Sequence, residues 1–95
     1  MSVVRLNHFD ALPNRRDELR ATLLAILPSI REAPGCQSVQ LLESEDSPGR
    51  FVILEMWATR GDHGTAAERI PTDILRRTMT MLAEVPTGGF YLERD

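Results

Sequence analysis

Lysine is missing from this chain: all 11 basic residues are arginine. A lysine nucleophile or Schiff base is thereby excluded. Cysteine is nearly as scarce, and the single Cys36 has no partner for an internal disulfide. That usage suits a reducing compartment, and the cytoplasm is the expected location. Excess positive charge is lacking too. The formal net charge is −3, which argues against a nucleic-acid partner, since such a protein carries a basic stripe. No apolar run reaches the ~20 residues a membrane-spanning helix needs. The opening MSVVRLNHFD meets charge by its fifth residue, so no signal peptide is expected and no membrane partner follows. Two histidines with no ligand spacing between them make no metal site.

What is present is an ordinary globular composition, 42% hydrophobic and 26% charged over 95 residues. A single domain over residues 1–95 is expected, and a chain of this size buries only ~60–65% of its unfolded surface. Its centre is RFVILEMWATR, residues 50–60. At the two-residue strand period Val52, Leu54, Met56 and Ala58 point one way, and Phe51, Ile53, Glu55, Trp57 and Thr59 the other. Both faces are apolar, as in a strand covered on both sides, with one carboxylate two residues before the only tryptophan.

Around that strand the chain falls into a recognisable order. Residues 2–9 read as a strand with Val3, Arg5, Asn7 and Phe9 on one face and Val4, Leu6 and His8 on the other. Asn14 is the expected cap of a helix whose apolar stripe is Leu19, Leu23, Ile26 and Ile30, and Pro28 is expected to kink or end it. Cys36 to Glu45 follows as a strand, joined to the central one by the turn Asp46-Ser47-Pro48-Gly49, with Pro and Gly placed as a type II turn prefers. GDHGTAAERI is a short, weak helix at best. Pro71-Thr72-Asp73 starts another, with Ile74, Leu75, Thr78, Leu82 and Val85 inward, and Phe90 to Glu93 closes the chain as a strand. Strand, helix, strand, strand, helix, strand is the ferredoxin-like α+β arrangement: four antiparallel strands with the helices on one face. The other face is left bare and apolar, and a second copy laid sheet against sheet is the simplest cover.

The opening VVRLNHF strand, the loop EAPGCQSVQLLES and SPGRFVILEMWATR with its Glu-x-Trp together resemble the antibiotic biosynthesis monooxygenase family. The resemblance covers nearly the whole chain and implies a dimeric α+β barrel, a homodimer through the sheet face. It also implies oxidation of a small electron-rich aromatic (a quinol, anthrone or polyketide-like molecule) with molecular oxygen and no cofactor. Two other readings remain: a non-catalytic ligand-binding protein of the same fold, and a cofactor-free isomerase or cyclase.

The resemblance places the pocket between sheet and helices and implies a site there. Asn7 matches the asparagine of the haem-degrading branch; it is either a donor to a substrate oxygen or a strand asparagine bonded to its neighbours. Trp57 matches the family tryptophan, as a flat wall with one N–H donor or as core packing. His63 is either the proton acceptor or a surface histidine beside Asp62. Members with an Asn–Trp–His set carry the histidine further along, where this chain has Ala66 and Ala67, so haem degradation is not expected. Glu55 shares its face with Trp57 and should neighbour Arg5; an ion pair is the expectation, and a buried carboxylate of raised pKa the alternative. The candidate catalytic set is therefore Asn7, Trp57, His63 and Glu55, with Arg5, Phe9, Ile53 and Leu23 contacting substrate. Tyr91 belongs either to the pocket or to the dimer edge, and Met79 and Met81 to packing.

Overall fold

A computed structural model describes residues 2–94. Strand β1 (Val3–Asp10) leads through a single 3-10 turn (Pro13–Arg15) into helix α1 (Arg16–Arg31). Strands β2 (Cys36–Glu43) and β3 (Arg50–Trp57) follow, then helices α2 (Arg60–Ala67) and α3 (Thr72–Met79), and strand β4 (Thr87–Tyr91). The sheet order is β2-β3-β1-β4, with every neighbouring pair antiparallel. This is the ferredoxin-like α+β fold, its second helix divided into two short ones. The β2–β3 hairpin closes as the sequence implies: Arg50 N–H donates to the Ser47 carbonyl at 3.1 Å, and Gly49 takes φ 93° in the left-handed region. Strand β2 carries a register irregularity between Cys36 and Ser38.

The expected alternation along β3 is what the fold uses. Phe51, Ile53, Glu55 and Trp57 are buried beneath the helices, while Val52, Leu54 and Met56 are half-buried on the opposite face. From α1, Leu19, Leu23, Leu27 and Ile30 complete the core. Leu27 takes the place expected of Ile26, which lies half-buried at the edge of that stripe. Arg20 donates to both Glu43 oxygens at 2.8 Å, tying α1 to the end of β2.

Four details of the sequence reading need correction. Asn14 does not cap α1: Pro13 draws it into the 3-10 turn, and Arg15 occupies the cap position without a side-chain bond. Pro28 does not end the helix on the spot, which runs on to Arg31. It sits at an exposed position, where water can take the place of the hydrogen bond that proline cannot donate. Helix α3 stops at Met79 instead of continuing to Val85. Backbone pairing takes over there, since Leu12 N–H donates to the Met81 carbonyl at 2.9 Å and Ala83 N–H to Asp10 at 2.8 Å. Met81 is thereby buried, and Val85 is left 76% exposed. Strand β4 begins at Thr87, three residues earlier than expected, because Gly88 and Gly89 pair with Asn7 and Leu6.

The face away from the helices carries Val4, Leu6, Val52, Leu54 and Met56, with Leu42 and Tyr91 about half exposed beside them. Tyr91 pairs with Val4, which puts it on this open face and not in the space under the helices. Among the described residues no helix is long and apolar enough to cross a membrane.

Candidate functional site

Between the sheet and the helices lies a cavity of about 250 Å³. From β1 it is lined by Arg5, Asn7 and Phe9, and from β3 by Ile53, Glu55 and Trp57. Leu23 of α1 and His63 of α2 reach the same space. The structure thus brings all eight sequence-named residues around one cavity. The antiparallel register does this for the strands, setting Arg5 opposite Glu55 and Asn7 opposite Ile53. His63 arrives because Thr59 caps α2, its Oγ accepting the Asp62 N–H at 3.0 Å, and starts the helix directly after β3.

At one end of the cavity the polar groups form a chain. Arg5 Nε donates to Asn7 Oδ1 at 3.0 Å, and Asn7 Nδ2 donates to Glu55 Oε2 at 3.2 Å. Trp57 Nε1 donates to Glu55 Oε1 at 2.8 Å. A guanidinium only donates and a carboxylate only accepts, so these neighbours fix the orientation of the Asn7 amide. Gly88 leaves the room this requires: a Cβ there would lie 2.5 Å from Arg5 Nη2 and 2.6 Å from Asn7 Oδ1.

Three of the expected contacts are different in kind. Arg5 and Glu55 do not meet as an ion pair; Asn7 stands between them and bonds to both. The Trp57 N–H is committed to Glu55 and is not free for a substrate oxygen. His63 is no surface residue: its side chain is 19% exposed, and its ring stands edge-on to Trp57 and Phe90 at centroid distances of 5.8 and 5.1 Å.

Glu55 is only 4% exposed and its direct hydrogen-bond donors are neutral. Burial pushes its carboxyl above the ordinary carboxylate range, against the pull of the Trp57 bond, the Arg5 charge and the Asn7 bond. His63 Nε2 lies 3.9 Å from Glu55 Oε1, beyond hydrogen-bond reach. Burial and then the Arg5 charge hold the imidazole below its usual pKa, so it is neutral at pH 7 and the two groups are not an ion pair. The arrangement offers a shielded carboxylate of raised basicity in an apolar space, with a guanidinium nearby for developing negative charge. Among the described residues no three His, Cys, Asp or Glu side chains cluster to hold a metal ion. Ala66 and Ala67 line the cavity from α2 without a ligating atom, which does not fit a haem ligand on that stretch.

Sequence reasoning missed Phe90, whose ring lies under both Arg5 (4.7 Å) and Arg60 (4.3 Å). The signal was the pairing of β4 with β1, which sets Phe90 opposite Arg5 but needs the strand placed three residues earlier. Ile74, Leu75 and Thr78 were read as an inward stripe and prove to be cavity wall; nothing singled out Ile70.

Fold and site define a ferredoxin-like α+β domain built around a buried carboxylate in an apolar cavity. The chain belongs to the antibiotic biosynthesis monooxygenase family, whose model matches residues 2–68. Among solved structures, Rv0793 from Mycobacterium tuberculosis is 25% identical with a TM-score of 0.88, over 100% of this chain and 97% of that one. A protein from Nitrosomonas europaea, itself described within the antibiotic biosynthesis monooxygenases, is 23% identical with a TM-score of 0.86, over 96% and 97%. A variant of SnoaB, a cofactor-independent oxygenase from Streptomyces nogalater, is similar in fold at 16% identity and a TM-score of 0.84, over 99% and 94%. A search of curated proteins returns no match.

Proposed function

We propose that this protein is a cofactor-independent monooxygenase of a small electron-rich aromatic substrate, a quinol, an anthrone or a polyketide-like phenol. The observation that carries the reading is Glu55, 4% exposed at the wall of an apolar cavity and bonded directly only to neutral donors. Such a carboxylate is a stronger base than one in water. Glu55 takes the acidic proton of the bound substrate, and Arg5 faces the anion that forms. Asn7 and Trp57 act through Glu55, holding the carboxylate in place. The anion is electron-rich enough to reduce oxygen directly: one electron passes to O2, the two radicals couple to a peroxide, and the peroxide loses water. For an anthrone-type carbon, two hydrogens are exchanged for one oxygen atom, and the second oxygen leaves in the water. Phe9, Ile53 and Leu23 exclude bulk water and pack against the ring. The family membership and the fold-level likeness to a cofactor-independent oxygenase are in keeping with this chemistry.

The working unit in this reading is a cytoplasmic homodimer. A second copy related by a two-fold axis would cover Val4, Leu6, Val52, Leu54 and Met56 on the open face. A second reading, a cofactor-free isomerase, draws on the commitment of the Asn7 amide and the Trp57 N–H to Glu55, which equips the site for proton transfer more fully than for holding an oxyanion.

Oxygen uptake by the purified protein, supplied with a panel of quinols and anthrones, tests both. Enzyme-dependent uptake that falls about 10²–10⁴-fold in Glu55→Gln supports the oxygenase. Product formed without oxygen consumption moves the assignment to the isomerase, and an undiminished rate in Glu55→Gln removes Glu55 as the base.

A further inference from the structure

A second cavity, of about 110 Å³, lies beside the first. Ile26, Ile30, Ala66, Ile70 and Ile74 line both, so only a single layer of side chains separates them. The remaining wall is Ala25 and Ser29 on α1, Ala33 just beyond its end, and Arg69 and Pro71 in the segment joining α2 to α3. Its inner surface is therefore aliphatic, with two polar side chains: Arg69, which only donates, and Ser29, whose hydroxyl can donate or accept.

Size makes the partition informative. The first cavity, at about 250 Å³, is below the ~300 Å³ at which ligand pockets usually begin, and the two together exceed it. The layer between them is also thinly anchored on one side. Helix α2 buries no residue and α3 buries only Thr78, so the side of the divide carrying Ala66, Ile70 and Ile74 is lightly anchored.

We infer that the second cavity is a subsite for an apolar arm of the substrate, passing between Ile26 and Ile30 of α1 and Ile70 and Ile74 opposite, and ending in an oxygen acceptor near Ser29 and Arg69. The substrate class is then an aromatic ring bearing an alkyl or alicyclic extension, with the reacting ring against Glu55. This rests on the proposed function for the first cavity as the place of the ring.

Trp57, the only tryptophan, lines the first cavity, so quenching of its fluorescence reports ring binding whether or not turnover occurs. The probes are 1-naphthol and 4-hexyl-1-naphthol. Each methylene taken out of water strengthens binding about fourfold, so the hexyl probe should bind at least about tenfold more tightly. Ser29→Phe and Ala25→Phe alter positions that line only the second cavity and are exposed on α1, where an added ring is compatible with folding. Both should abolish the advantage of the hexyl probe and leave 1-naphthol affinity within about twofold. Arg69→Ala should weaken a probe whose hexyl chain ends in a carboxylate and leave the plain hexyl probe unchanged. Equal affinity of the two naphthols, or an equal loss of both in the two Phe variants, overturns the subsite. Quenching with the arm effect but no oxygen uptake from any quinol would instead defeat the oxygenase reading and leave the subsite standing.

Discussion

Glu55 and His63 sit 3.9 Å apart, and burial shifts them in opposite directions, so each leaves its own mark on the pH dependence of stability. Folding raises the Glu55 pKa above its ordinary 4.5, so the native state binds more protons than the unfolded chain between 4.5 and the folded value. Its contribution is full below 4.5 and is lost as pH rises through the folded pKa. His63 is lowered from 6.5, so its contribution is full above 6.5 and is lost as pH falls through its folded pKa. Thermal melts across pH 4–8 should show Glu55→Gln flattening the decline on the alkaline side of 4.5, and His63→Gln flattening the loss below 6.5. Gly88 offers a test of the chain that orients the carboxylate. Gly88→Ala pushes a methyl into Arg5 and Asn7 and should cost about 1–3 kcal/mol, read in urea unfolding, with a fall in any Glu55-dependent turnover. Which side chains face the cavity was legible in the sequence, because the strand period leaves no freedom once β1 and β3 are placed. Which of them bond to one another was not. Asn7 and Trp57 both turn to Glu55 because an enclosed carboxylate needs donors, a demand invisible until burial is known.

Among the elements, α2 holds the site with the least anchoring. It buries none of its own side chains, yet it brings His63 to Glu55 and sets Ala66 and Ala67 into the cavity wall. Its hold on the end of β3 includes the Thr59 cap. Thr59→Ala should lower stability by about 1 kcal/mol and accelerate amide exchange over residues 60–67 more than in the sheet. Of the element boundaries, those set by local chemistry could be read: the Pro48-Gly49 turn and the start of α3 after Pro71. Those set by distant pairing could not. The apolar period after Thr80 is good enough for a helix, but Asp10 to Leu12 claim that stretch as extended chain. Pro28 misleads for the converse reason, since an exposed position lets water replace the hydrogen bond it removes.

For the molecule as a whole, the exposed apolar sheet surface sets the expected assembly. Leu54 lies near its centre, paired with Leu6 and Gln40. Sedimentation should give a dimer for the native sequence and a monomer for Leu54→Arg, which would place an unpaired charge within the buried area. A native protein that sediments as a monomer would refute the dimer. The bare surface was foreseen from β3 alone, because a strand greasy on both sides in so short a chain has too few helices to hide it.

The irregularity between Cys36 and Ser38 bears on how far such an assembly can grow. It lies on β2, the outermost strand on that side, and spoils the evenly spaced row of amides and carbonyls that an incoming strand would need. At the opposite rim β4 is five residues long and contains two adjacent glycines, a poor template for extension. Molecules that met through their broad faces would find little purchase at their margins, so the pair would close on itself and resist growing into ribbons or fibrils.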